Sequence, residues 1–164
     1  MDYIVVGSTA AAAWGVARMT RDVDIVVLLA SDSAETMLEA LRASEVYFPE
    51  LNARQAVQSG GSFNILHPQS GGKVDLFAVL ASDAFTQSRI ARRVRAQVLG
   101  VEAWIATPED VVLAKLRWRL DSRSETQWRD CVEIAAVNDL DRDYMQKWAP
   151  ELGVETDLAD LLDG

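Results

Sequence analysis

Apolar positions in this chain fall into short continuous runs and longer helical periods. Tyr3, Ile4, Val5 and Val6 form a run stopped by Gly7, which predicts a buried strand. Residues 24–29 form a second run, and unbroken apolarity fits a strand covered on both faces. Between them, residues 9–17 are alanine-rich and predict a helix whose small face lies close against a sheet. Gly15 inside that helix costs about 1 kcal/mol relative to alanine. Ser31, Asp32 and Ser33 with Glu35 make a cap and capping acid for a helix ending near Arg42. The pattern over 46–59 favours no element. Residues 62–66 and 73–80 flank Gly71-Gly72 as a hairpin, and 94–99 and 101–105 form a second strand pair turning at Gly100. Ser82-Asp83 opens a short helix between the two pairs. Thr107-Pro108-Glu109 combines a cap, a first-turn proline and an early acid, and everything after it has helical period. The helices expected there span 108–120, 124–137, 141–148 and 156–162. The order predicts an α/β (α+β) fold, a sheet part over 1–106 and a helical part over 107–164, packed as one compact unit.

Composition narrows the function classes. At 164 residues the chain is one domain in size, and it can bury about 70% of its unfolded surface. A net charge of −9 opposes a nucleic-acid coat, because phosphate backbones are held by lysine and arginine. Arg89, Arg92, Arg93 and Arg95 form one local basic cluster, a solvated face by default or a docking patch for a polyanion such as RNA. The lone Cys131 has no internal disulfide partner, which points to a reducing compartment. The start, Met1-Asp2-Tyr3, carries no basic or apolar leader, and no apolar run reaches the roughly 20 residues that span a membrane. The expectation is a soluble cytoplasmic protein with no membrane partner.

Candidate chemistry lies on the strands. Asp22 and Asp24 flank one residue, and side chains alternate along a strand, so both carboxylates point the same way. Asp75 lies between Val74 and Leu76, where an uncompensated carboxylate is costly if buried. Like charges so placed disfavour joint ionisation. Two divalent cations, magnesium or manganese, reverse that penalty, since hard cations take carboxylate and phosphate oxygens. In two-metal sites the ions lie about 3.5–4 Å apart and clamp attacking and leaving oxygens. Gly7-Ser8 ends one strand and opens a helix, where backbone N–H groups and the Ser8 hydroxyl suit the phosphates of a nucleoside triphosphate.

Gly7-Ser8, then Arg18-x-Thr20-x-Asp22-x-Asp24, then a strand bearing Asp75, resembles the DNA polymerase beta-like nucleotidyltransferase superfamily. The likeness is greatest to its small bacterial branch from toxin–antitoxin and abortive-infection systems. The resemblance implies a mixed sheet flanked by helices with a C-terminal helical subdomain. It implies that Asp22, Asp24 and Asp75 are the catalytic metal ligands, and that Gly7 and Ser8 hold the triphosphate. Thr107 to Leu116 looks like the family's helical Lys-Leu motif, which implies a phosphate contact for Lys115, alongside one for Arg18. Arg129-Asp130-x-x-Glu133 resembles a further motif, with Glu133 in place of the usual aspartate; an interhelical ion pair is the other reading of Arg129 and Asp130. The acceptor implied is RNA, a protein hydroxyl or a small molecule, and the partners implied include a cognate toxin or antitoxin or a second copy. The alternative is a non-catalytic antitoxin or regulator that keeps the fold and binds a protein.

Other chemistries lack their residues. With one histidine, His67, and one cysteine there is no zinc site and no Ser-His-Asp or Cys-His triad. His67, beside Pro68 at a strand end, reads as a turn residue. The glycine turn lacks the patterns of dinucleotide binders and of P-loops. Trp118, Trp128 and Trp148 read as helix-packing anchors rather than base-stacking platforms.

Overall fold

The computed structural model describes residues 1–17, 20, 22–29 and 33–163. Arg18 and Arg21 lie outside the described residues, as do Ser31 and Asp32 of the expected helix cap. The sheet is built from β1 (Asp2–Val6), β2 (Asp22–Leu29), β3 (Gly61–Leu66), β4 (Lys73–Leu80), β5 (Val94–Val98) and β6 (Val101–Ile105). Their spatial order is β3-β4-β2-β1-β6-β5. Neighbours β2/β4 and β1/β6 run parallel, and the remaining pairs antiparallel, so the sheet is mixed as expected.

Strand alternation sorts the sheet into two buried faces. Ile4, Val26, Phe77 and Val79 turn to one face and join a cluster with Leu113, Leu116, Ile134 and Met145. Those partners come from α5 (Pro108–Ser122), α6 (Glu125–Val137) and α7 (Arg142–Leu152), and Leu158 of α8 (Glu155–Asp163) completes the cluster. Val27, Leu29, Phe63 and Leu76 turn to the other face, under Met37 and Leu38 of α2 (Ser33–Ala43) and Ala53, Ala56 and Val57 of α3 (Glu50–Ser59). Each fully buried Leu or Phe contributes about 1.5–3 kcal/mol, so both faces are strongly fixed. The continuous apolarity of β2 follows from this double cover.

Three elements depart from expectation, α7 among them, which runs on to Leu152 past the expected end at 148. The helix after β1, α1 (Gly7–Ala13), stops four residues early. Trp14 turns its Nε1–H onto the Ala106 carbonyl at 2.8 Å, and Gly15 takes φ +104°, which ends the helix against β6. Within 46–59, the stretch without a clear period becomes α3, begun after Pro49 and packed through its small residues. The short helix after Asp83 is α4 (Ala84–Arg92), whose cap carboxylate accepts from the Thr86 N–H at 2.6 Å. Thr107 caps α5 as its sequence requires, accepting from the Asp110 N–H.

Candidate active site

The parallel register of β2 and β4 sets Asp24 opposite Asp75 and Asp22 opposite Lys73. All four side chains therefore share one face, at the end of the sheet where β1 runs into Gly7. Gly7 has φ +63°, and a Cβ there would lie 2.0 Å from Asp24 Oδ2 and 2.8 Å from its Cγ. Only glycine lets the strand-to-helix turn press this closely against a carboxylate.

The electrostatics explain how the acids are tolerated. Burial pushes the Asp24 carboxyl above its ordinary 3.8, and repulsion from Asp75 and Asp22 adds to the shift. The opposing pull comes from Lys73 and Lys115. Lys73 is the larger of these: its Nζ donates to Asp75 Oδ2 at 2.8 Å and stands 3.5 Å from Asp22 Oδ2. That hydrogen bond raises the ammonium above its ordinary value. Among the described residues no three acidic, histidine or cysteine side chains are drawn together around a common point that could hold a metal ion. The set on this face offers oxygen donors of the kind that hard divalent cations take. It consists of carboxylates alone, mutually repelling, with a flexible lysine lying across two of them.

Beside Asp24 lies a cleft of about 330 Å³, with Asp22 and Asp75 outside its lining. Val6, Asp24, Val26 and Phe77 line it from the sheet, Gly7 and Ser8 from the turn, and Ala114, Lys115 and Trp118 from α5. Lys115 thus shares one cavity with Gly7, Ser8 and Asp24. It is buried, donating from Nζ to Asp130 Oδ2 at 2.7 Å and to Gln127 Oε1 at 2.9 Å. The Arg129-Asp130 motif on α6 therefore positions Lys115 through Asp130, while Arg129 is exposed. Glu133 accepts from the Ala17 N–H at 3.3 Å.

Two cleft residues escaped the sequence reading. Arg89, counted there in a basic surface cluster, is buried in the cleft wall. It donates from Nη2 to Thr86 Oγ1 at 2.7 Å, lies 4.8 Å from the Phe85 ring centroid, and makes no ion pair among the described residues. Burial pulls its guanidinium below the ordinary value. Asp110 is fully buried and accepts from Tyr144 Oη at 2.6 Å and from Thr107 Oγ1 at 3.1 Å; burial pushes its carboxyl up. The sequence reading put Arg89 in a surface cluster and gave Asp110 no separate role, because nothing in the local pattern signals that both turn inward.

The remaining arginines of that cluster spend their charge within the chain. Arg92 pairs with Glu109 at 3.1 Å and Asp141 at 3.6 Å, Arg93 with Asp2 at 2.9 Å, and Arg95 with Glu102. His67 is a turn residue as expected, its Nδ1 accepting from the Ser70 N–H in the β3–β4 hairpin. Trp148 is the packing anchor expected of it, against Phe85, but Trp118 is 60% exposed at the cleft.

No protein-family model matches the chain, and no curated protein matches it. Solved structures do match. An antigenic nucleotidyltransferase-like protein from Paracoccidioides brasiliensis superposes with a TM-score of 0.57 at 15% identity, covering 99% of this chain and 84% of that one. The lincosamide antibiotic adenylyltransferase LnuA, in its lincomycin-bound structure, gives a TM-score of 0.50 at 11% identity over 83% of this chain and 87% of its own. At such identities the likeness is one of architecture, and the chain has the α/β fold of nucleotidyltransferase-like proteins.

Proposed function

We propose that this chain is a metal-dependent nucleotidyltransferase that moves a nucleoside monophosphate from a nucleoside triphosphate to an acceptor hydroxyl. The observation that carries the reading is the β2/β4 register, which sets Asp24 against Asp75 beside a glycine turn in the wall of a cleft. Asp22, Asp24 and Asp75 would hold two magnesium or manganese ions. When bound, such ions neutralise phosphate charge and polarise the reacting phosphorus–oxygen bonds.

The chain's own residues do the rest. Gly7 leaves the turn open to a phosphate, and Ser8 adds a hydroxyl donor. Lys115, held by Asp130 and Gln127, contributes a fixed positive field to the cleft without moving when substrate arrives. Asp75 is the carboxylate that accepts the proton of the attacking hydroxyl. The hydroxyl oxygen bonds to the α-phosphorus as the bond to pyrophosphate breaks. Arg18 belongs to the same proposal as a second contact to the triphosphate.

For the acceptor, the charge of −9 and the internal pairing of Arg92, Arg93 and Arg95 favour a cationic small molecule or a basic protein over RNA. LnuA, by its name, modifies a small antibiotic. A toxin–antitoxin or phage-defence role is compatible with a protein acceptor. One observation favours a second reading: Lys73 lies on Asp75 and Asp22, as it would in a non-catalytic binding module that has no use for a metal.

The test is label transfer. The protein is incubated with magnesium or manganese, each α-labelled nucleoside triphosphate in turn, and a lysate or a panel of aminoglycosides and lincosamides, beside Asp24→Asn. Expected is a labelled acceptor that falls in the variant by about 10²–10³-fold, the scale for losing a group that stabilises transition-state charge. Undiminished transfer by Asp24→Asn would remove the assignment. No transfer and no metal-dependent nucleotide binding would favour the binding module.

A further inference from the structure

Among the five tryptophans, four have a use within the fold. Trp14 donates to the Ala106 carbonyl, Trp104 lies under Arg93 and Arg95, Trp128 under Arg119, and Trp148 packs on Phe85. Trp118 differs. Its ring has no aromatic or cationic partner among the described residues, and it is 60% exposed while lining the cleft. A lone exposed apolar side chain on open surface calls for no explanation. A tryptophan on the rim of a concave site is another matter, since such sites orient ligands with a few aromatic and polar groups.

Its place on α5 defines what it could meet. Trp118 follows Lys115 by three residues, so the two lie on one face of the helix, a turn apart. Lys115 in turn shares the cleft with Gly7, Ser8 and Asp24. A ligand whose phosphates lie along the turn and the lysine has its uncharged end within reach of the exposed indole. We propose that Trp118 is the nucleobase platform of this site: the base of the nucleoside triphosphate stacks on the indole at the cleft rim. The inference rests on the nucleotidyltransferase reading above. Stacking uses the π-face that every base has, so the site takes purines and pyrimidines with preference set by stacking area, purines first.

The occupant follows from charge as well as shape. The cleft places Gly7, Ser8 and Lys115 together and an apolar ring one helical turn further along α5. That is the polarity of a nucleotide, anionic at the phosphates and flat and uncharged at the base. A second copy of the chain, itself carrying −9, offers no such graded surface.

Because Trp118 is exposed, its replacement leaves the core intact, and binding can be read directly. Isothermal titration with each of ATP, GTP, CTP and UTP in magnesium, and separately with magnesium tripolyphosphate, is run on wild type, Trp118→Ala and Trp118→Phe. Expected is a loss of about tenfold or more in purine nucleotide affinity for Trp118→Ala, from the worth of base–aromatic stacking. Trp118→Phe retains affinity to within about threefold, and tripolyphosphate binds all three alike, because the phosphate end is untouched. Unchanged ATP and GTP affinity in Trp118→Ala overturns the platform. So does an equal loss for ATP and for tripolyphosphate, which means a distorted cleft, or a wild-type dimer in sedimentation that Trp118→Ala dissolves. Wild type binding neither nucleotide nor tripolyphosphate is a different failure: it removes the nucleotidyltransferase reading itself, and the platform with it.

Discussion

At Gly7 a left-handed backbone and a carboxylate compete for the same space, and this fixes what a methyl group would do there. Glycine alone tolerates φ +63° without penalty; an L side chain costs roughly 1–2 kcal/mol. The added Cβ would also meet Asp24 at Oδ2, Cγ and Cβ, so the carboxylate must turn away and the strand beside it give. Gly7→Ala should therefore lose at least about 1–2 kcal/mol by urea denaturation and at least about 10²-fold in nucleotidyl transfer, since a 1 Å misplacement costs that much. Equal transfer by variant and wild type would show that Asp24 need not stand where the turn holds it. The residues of this corner were legible because their spacing carries physics: an i, i+2 pair of acids on a strand, a glycine at a strand end, a third acid in an apolar run. Lys73 was not read as their partner, since nothing local says that β2 and β4 lie side by side with Asp22 opposite Lys73. Arg89 and Trp118 were misplaced for a related reason. A side chain's type predicts burial on average, and both are exceptions, an arginine inside and a tryptophan outside.

Between elements, the α5–α6 contact turns on one charge pair. The Lys115 and Asp130 side chains are 5% and 3% exposed, so the 2.7 Å contact is screened by almost no water. Removing one member of such a pair leaves a buried charge and costs about 3–5 kcal/mol, whereas replacing both by apolar groups is often neutral. Asp130→Ala is expected to fall by that amount in chemical denaturation, and Lys115→Met/Asp130→Leu to recover most of it. A double variant as unstable as the single would mean that the loss is of the pair itself and not of an uncompensated Lys115 charge. Most elements were visible because their ends are written locally: Thr107 and Pro108 for α5, Gly71-Gly72 for one hairpin, Gly100 for the other. The helix α3 was not, because its buried positions are the small Ala53 and Ala56 with Val57, too weak a stripe to set a period. Beyond the two hairpins, strand order could not be read. It is decided by which apolar faces meet across long loops, as when β2 pairs with β4 rather than with β3.

Over the whole molecule, the fold gathers acids that the unfolded chain keeps apart, and its stability must carry that cost. Asp24 shows the sign. Its carboxyl is raised above 3.8 by burial first and by Asp75 and Asp22 after it, so the folded state binds that proton more tightly than the unfolded state does. Stability then falls as pH rises through the window between 3.8 and the raised folded value. The favourable contribution is complete below 3.8 and gone above the folded value, leaving a buried carboxylate as a net penalty at neutral pH. In chelator, Asp24→Asn should accordingly melt above wild type at pH 7, and the gap should close as pH approaches 4. Divalent metal opposes the same penalty. If the acids hold it, magnesium at about 100 times its dissociation constant adds about 2.7 kcal/mol to wild type, or roughly 5–11 °C in a chain of this size, and adds less to the variant. Calorimetry at both pH values, with chelator and with magnesium, reads all of this in one series. A variant that melts below wild type at pH 7 in chelator would mean that Lys73 and Lys115 already outweigh the repulsion. The apo corner would then be a stable ion-pair network, and metal would have to displace Lys73 from Asp75 before it could bind.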